Sequence, residues 1–121
     1  MITKLEQIEL TGIAGVLLRH LPIPQNGGVK ESTVVTVEPG KTIPLHKHEV
    51  DAHMFIISGS GKVLSENEDH GKEVSPGHCV FFERLLMHGF VAGPDGLVFL
   101  SQNGGIHKPD GSFDFQVGNA A

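Results

Sequence analysis

Gly40-Lys41-Thr42-Ile43-Pro44-Leu45-His46-Lys47-His48-Glu49-Val50-Asp51-Ala52-His53-Met54-Phe55-Ile56-Ile57-Ser58-Gly59 is the stretch on which the fold of this chain turns. It holds His46, His48 and His53, two of them at i and i+2. Side chains of an extended strand alternate between faces, so His46 and His48 point the same way. In a small barrel the residues that reach a ligand must face inward. Neutral imidazole is the commonest metal ligand in proteins, so an inward His-x-His is a metal-site pattern. Alone it is weak, because two histidines two apart arise by chance and are solvated on an exposed strand.

A second stretch strengthens it: Pro76-Gly77-His78-Cys79-Val80-Phe81-Phe82-Glu83-Arg84-Leu85-Leu86-Met87-His88-Gly89-Phe90. It reads as a strand, a short turn and a returning strand that opens with His88. Here the chain resembles the cupin family. That family's first motif is a glycine, five residues, His-x-His, three or four residues, a glutamate, six residues and a glycine. Gly40, His46, His48 and Gly59 match it. Gly77, the Val80-Phe81-Phe82 run and His88 match the second motif in order and spacing. Two departures stand out. No glutamate follows His48 at the family's position, where Ala52 or His53 falls instead. Glu83-Arg84-Leu85 replaces the second motif's Pro-x-Gly, and its closing asparagine falls on Ala92.

The resemblance implies an all-β fold, a double-stranded β-helix or jelly-roll barrel (cupin) of about ten strands, as one domain over residues 1–121. It also implies a homodimer and a divalent transition metal (Fe, Mn, Ni or Zn) held by His46, His48 and His88. For the fourth ligand, His53 fits the four-residue version of the motif gap. Counting back from Gly59 instead places Ala52 at the glutamate position, and His53 then faces inward only if the strand start is bulged. The expectation is the inward His53. Glu83, in the turn leading to His88, is the candidate general acid or base. Such a metal favours an anionic ligand, and metal loss is expected between roughly pH 6 and 5, as protons compete for imidazoles. Phe55, Ile57, Phe82, Phe90 and Met87 are expected to line a mostly apolar pocket, suited to a small organic acid or phenolic compound. By resemblance the function is that of a metal-dependent oxygenase or isomerase. The alternative is a non-catalytic barrel that senses a ligand or metal.

Composition agrees with a single β-rich domain. Sixteen glycines and seven prolines in 121 residues mean frequent turns. The net charge of −5 offers no basic face for nucleic acid. No run approaches the about 18 apolar residues of a membrane span, and the N-terminus lacks a secretory layout. A single cysteine excludes an internal disulfide, and a cytoplasmic setting is the default. Cys79, followed by Val-Phe-Phe, is expected to be buried and inert.

Further strands are expected at 15–21, 33–37, 43–48, 53–58, 62–65, 80–82, 88–91 and 97–100, with an edge strand at 113–116. Residues 1–12 fit either a helical turn or an edge strand. Pro22-Ile23-Pro24 and Asn26-Gly27-Gly28 are expected to end the first strand, Ser58-Gly59-Ser60-Gly61 to form a tight hairpin, and Gly93-Pro94-Asp95-Gly96 to turn the chain. A polar loop is expected at 66–72 and a turn-rich tail at 104–111.

Overall fold

Thr33-Val34-Val35-Thr36-Val37 carries β-branched side chains that suit a pleated, half-buried surface, and it forms most of β3 (Glu31–Val37). The computed structural model describes residues 2–22, 30–106 and 112–118. Within them the chain also forms β1 (Ile8–Glu9), β2 (Val16–His20), β4 (Thr42–Lys47), β5 (Ala52–Ser65), β6 (Glu73–Val74), β7 (Cys79–Phe82), β8 (His88–Asn103) and β9 (Gln116–Val117). Every pairing is antiparallel, and no helix occurs among the described residues. The early segment resolves as an edge strand, with Ile8 opposite Leu18. The stop expected at Ile23-Pro24 and Asn26-Gly27-Gly28, and most of the tail at 104–111, lie outside the described residues.

Two long strands make the barrel. The second half of β8 pairs with β3 and with the start of β5, while its first half pairs with β4 and with the end of β5. The result is one sheet folded over on itself into two walls. The fold-over falls where turns were expected. Between the pairs Gly59↔Leu97 and Gly61↔Ala92, the four residues 93–96 of β8 stand opposite Ser60 alone. Ser58–Gly61 is therefore no hairpin: β5 runs straight through it, with register shifts on either side of Gly59. Gly59 has φ +79°, and a Cβ there would lie 2.1 Å from the carbonyl oxygen of Gly96. The glycine pattern signals a bulge that bends a strand, which short-range turn rules cannot distinguish from a hairpin.

Opposed inward residues close the barrel. Phe90 and Phe99, on the two halves of β8, meet with ring centroids 5.0 Å apart. With Phe82, Ile56, Leu97, Val16, Val37 and Val63 they are fully buried, each contributing roughly 1.5–3 kcal/mol of hydrophobic stabilisation. Along β5, Ala52, Met54 and Ile56 face inward, whereas His53, Phe55 and Ile57 face outward. Phe55 and Ile57 are thus exposed, and of the five side chains expected to line the pocket only Phe90 does. Cys79, the first residue of β7, pairs with Phe55 of β5 and is exposed, contrary to the expectation of a buried thiol.

Candidate metal centre

Three histidines converge inside one wall. His46 lies near the end of β4, His48 just beyond it, and His88 opens β8 directly opposite His46. All three are buried, and one ring nitrogen from each lies within 4.8 Å of the other two. The turn before His88 is docked onto the turn after His48: Leu85 N–H donates to the His48 carbonyl at 2.7 Å, and Arg84 N–H to Asp51 Oδ1 at 2.7 Å. Leu85 occupies the glycine position of the family's Pro-x-Gly and adopts φ +66°. A side chain in that left-handed conformation costs roughly 1–2 kcal/mol, which the docking hydrogen bonds offset.

The tautomers follow from the partners. His46 Nδ1 lies 2.7 Å from the Pro44 carbonyl oxygen, and His88 Nδ1 lies 2.8 Å from that of Leu86. His48 Nδ1 bonds the carbonyl oxygen of Asp114. A carbonyl only accepts, so each Nδ1 carries the proton and each Nε2 presents a lone pair. His46 Nε2 and His48 Nε2 lie 3.1 Å apart, so in neutral rings of this tautomer two lone pairs face one another. His88 Nε2 is buried with no hydrogen-bond partner among the described residues. Such a cluster is costly unless a cation sits in it. Two nitrogens each about 2.1 Å from one ion, at ordinary ligand angles, are about 3.0–3.4 Å apart. The His46–His48 spacing fits that range.

Burial also keeps two of the rings, His46 and His88, neutral. Desolvation, then the neighbouring His88 ring, lowers the His46 pKa to about 2 against the pull of its Pro44 hydrogen bond. Desolvation lowers that of His88 to about 4. Neutral imidazole is the form that binds metal. Aromatic rings clamp two of the imidazoles: Phe115 stacks on His46 at 3.9 Å and 16°, and Phe82 on His88 at 4.1 Å and 14°.

Two expected site residues fall elsewhere. His53 lies on the outer face of β5, exposed, with its ring 5.0 Å from that of Phe81. The strand start is not bulged: Ala52, His53 and Met54 pair in unbroken register with both β7 and β8. Ala52 thus takes the inward glutamate position, with a methyl group that cannot ligate, and three histidines form the cluster. Glu83 is exposed in the turn and does not line the cavity. Since His53 is remote from the cluster, His53→Ala should leave zinc affinity within about twofold, as surface changes rarely exceed about 0.5 kcal/mol. A competition titration showing a tenfold loss would return His53 to the site.

Other parts of the site escaped the sequence reading. Residues 112–118 strap across the histidines. Asp114 receives His48 Nδ1–H at its carbonyl, and its Oδ2 accepts Glu49 N–H at 2.6 Å. Gly118 N–H donates to the Leu45 carbonyl at 3.0 Å, and Phe113 and Phe115 line the cavity. Their alternation was visible, but only the β4–β9 pairing reveals what they cover. Glu31 was also missed: it is a buried carboxylate lining the same cavity as the histidines.

The family model described as a cupin domain matches residues 33–101, more than half of the chain. The chain belongs to the cupin family. Solved structures agree on the fold. The polyketide cyclase RemF from Streptomyces resistomycificus superposes with TM-score 0.76 at 22% identity, covering 100% of this chain and 88% of that one. A cupin-2 domain protein from Rhodospirillum rubrum gives 0.78 at 17%, covering 96% and 76%. A predicted oxalate decarboxylase from Thermotoga maritima gives 0.69 at 20%, covering 85% and 97%. No curated protein matches the sequence significantly.

Proposed function

We propose that this cupin is a metal-dependent enzyme, of oxygenase or isomerase type, acting on a small anionic organic molecule. The observation that carries this proposal is the convergence of three Nε2 lone pairs, each fixed by an Nδ1–H bond to a backbone carbonyl. Such carbonyl partners hold the tautomer and orientation of metal-ligating histidines. Three protein ligands leave positions open, as catalytic metal sites do. A divalent ion held there supplies Lewis acidity toward a ligand oxygen. The chain's own residues prepare the place: the carbonyls aim the rings, Phe115 and Phe82 hold them, and the apolar walls of Met54, Phe90 and Phe99 exclude water. Three neutral imidazoles contribute no charge to offset that of the ion, which favours an anion beside it. That RemF is a polyketide cyclase and the Thermotoga protein a predicted decarboxylase is in keeping with small-molecule chemistry on this scaffold.

Protein loaded in turn with iron, manganese, nickel and zinc is expected to retain a stoichiometric ion in elemental analysis, and azide to perturb the spectrum of the iron form. Failure of all four ions to bind above trace would refute the proposal. A second reading, a ligand-sensing barrel without turnover, is supported by the strap, since Asp114 links His48 directly to the C-terminal segment. Ligand-dependent hydrogen exchange in 112–118 without turnover of any bound compound would favour it.

A further inference from the structure

Glu31 lines the cavity but is not one of the three clustered side chains. Glu31 lies at the start of β3, on the wall opposite the histidines. The placement follows from the folded sheet. Phe90 and Phe99 touch across the cavity next to the fold-over. Two residues further from it, the inward positions are His88 on one half of β8 and Ser101 on the other, and Ser101 pairs with Thr33 of β3. Facing sheet walls stand roughly 10 Å apart, so side chains projecting from both leave a gap of only a few ångströms. The cavity between them is about 70 Å³, room for only a few non-hydrogen atoms.

That second wall is polar in an ordered way. Glu31 Oε2 accepts Ile106 N–H at 2.6 Å, and the Thr33 hydroxyl donates to Oε1 at 3.4 Å. His20 Nδ1 backs Thr33 Oγ1 at 2.8 Å. Ser101 Oγ accepts Asn103 Nδ2–H at 3.4 Å, which leaves the serine hydroxyl proton to be donated elsewhere. A carboxylate offers about four acceptor positions, so one held by several protein donors can still accept a ligand hydroxyl. Beside it, Ser101 can donate to the same oxygen. An anionic ligand end is drawn to the dication, whereas a ligand hydroxyl can donate to Glu31, so the two walls fix the ligand's direction.

We propose that Glu31, Thr33 and Ser101 form a hydroxyl-binding subsite facing the histidines, which makes the ligand a short hydroxy acid. Its carboxylate turns to the metal and its hydroxyl to Glu31. This rests on the metal-centre reading for the carboxylate end only.

The test uses glycolate, 3-hydroxypropanoate and 4-hydroxybutanoate against acetate, propanoate and butanoate, titrated calorimetrically into zinc-loaded and metal-free protein. At one chain length the hydroxy acid should bind about tenfold more tightly than its parent, the size of a hydrogen bond to a charged group. In Glu31→Gln that ratio should fall to about twofold or less. Glutamine keeps an acceptor for Ile106 N–H, so the fold at that point is retained. If this variant does not fold, Thr33→Val carries the test with a smaller but measurable fall in the same ratio. A wild-type ratio near one at every length, or a ratio the variant leaves unchanged, overturns the subsite. Parent acids that bind equally with and without zinc overturn the metal reading instead, and the ratio then still decides for Glu31.

Discussion

Alanine at His46 or His88 is expected to abolish stoichiometric metal binding while leaving the barrel folded. Loss of a group that merely orients a metal ligand costs 10- to 100-fold in affinity, so loss of the ligand itself should exceed about 100-fold. The fold should survive because its core lies elsewhere, in Phe90, Phe99, Ile56, Leu97, Val16, Val37 and Val63. Two opposing terms act on the metal-free variants. Truncation beside Phe82 or Phe115 leaves a cavity, which destabilises. It also removes a desolvated ring nitrogen, and in His88→Ala that is an atom with no partner among the described residues, which stabilises. A small net change in thermal midpoint without metal, and a large one with it, is therefore the expected signature, since zinc stabilises only the wild type. Full zinc retention by both variants in elemental analysis would mean that the convergence of these rings is not a metal site.

The sequence carried the fold and most of the site because both rest on local patterns. His46-x-His48 shares a face in any strand, and its spacing from Gly40 and Gly59, together with His88, placed three buried rings correctly. The errors share a physical source. Period-2 alternation fixes which residues share a face but not which face is inside. One wrong choice at Ala52/His53 therefore carried Phe55 and Ile57 inward with His53. Gly59 and Gly61 were legible as special backbone positions, but a bulge and a hairpin have the same local composition. Only the long-range β5–β8 pairing separates them. The roles of Glu31 and of the strap were beyond local rules for the same reason. Glu31 meets Ile106, 75 residues away, and Asp114 meets His48 across 66.

Acid should unfold the metal-free protein over a range set by these rings. An unfolded histidine titrates near 6.5, whereas burial lowers His88 to about 4 and His46 to about 2. Above about pH 6.5 both rings are neutral in either state and give no pH dependence. Below it the unfolded chain takes up protons that the native rings refuse, so stability falls as the pH falls. The slope is about 1.4 kcal/mol per pH unit for each ring, ending near pH 4 for His88 and continuing below that for His46. Each ring thus removes roughly 3 kcal/mol by pH 4, a large share of the 5–15 kcal/mol that ordinarily holds a domain together. Unfolding between about pH 5 and 4 is expected by circular dichroism.

The same shifts move the expected release of metal. Imidazoles that resist protons in the folded state give up zinc later than the pH 6 to 5 suggested by an unperturbed histidine. Release should accompany unfolding at or below about pH 4.5, since bound zinc itself stabilises the native state. His88→Ala supplies the control, because its metal-free form lacks one of the buried rings and should lose stability between pH 6.5 and 4 with a shallower slope than the wild type. Zinc released between pH 6 and 5 from protein whose circular dichroism stays native would show that the rings protonate within the fold. Desolvation of His46 and His88 would then not be what holds them neutral.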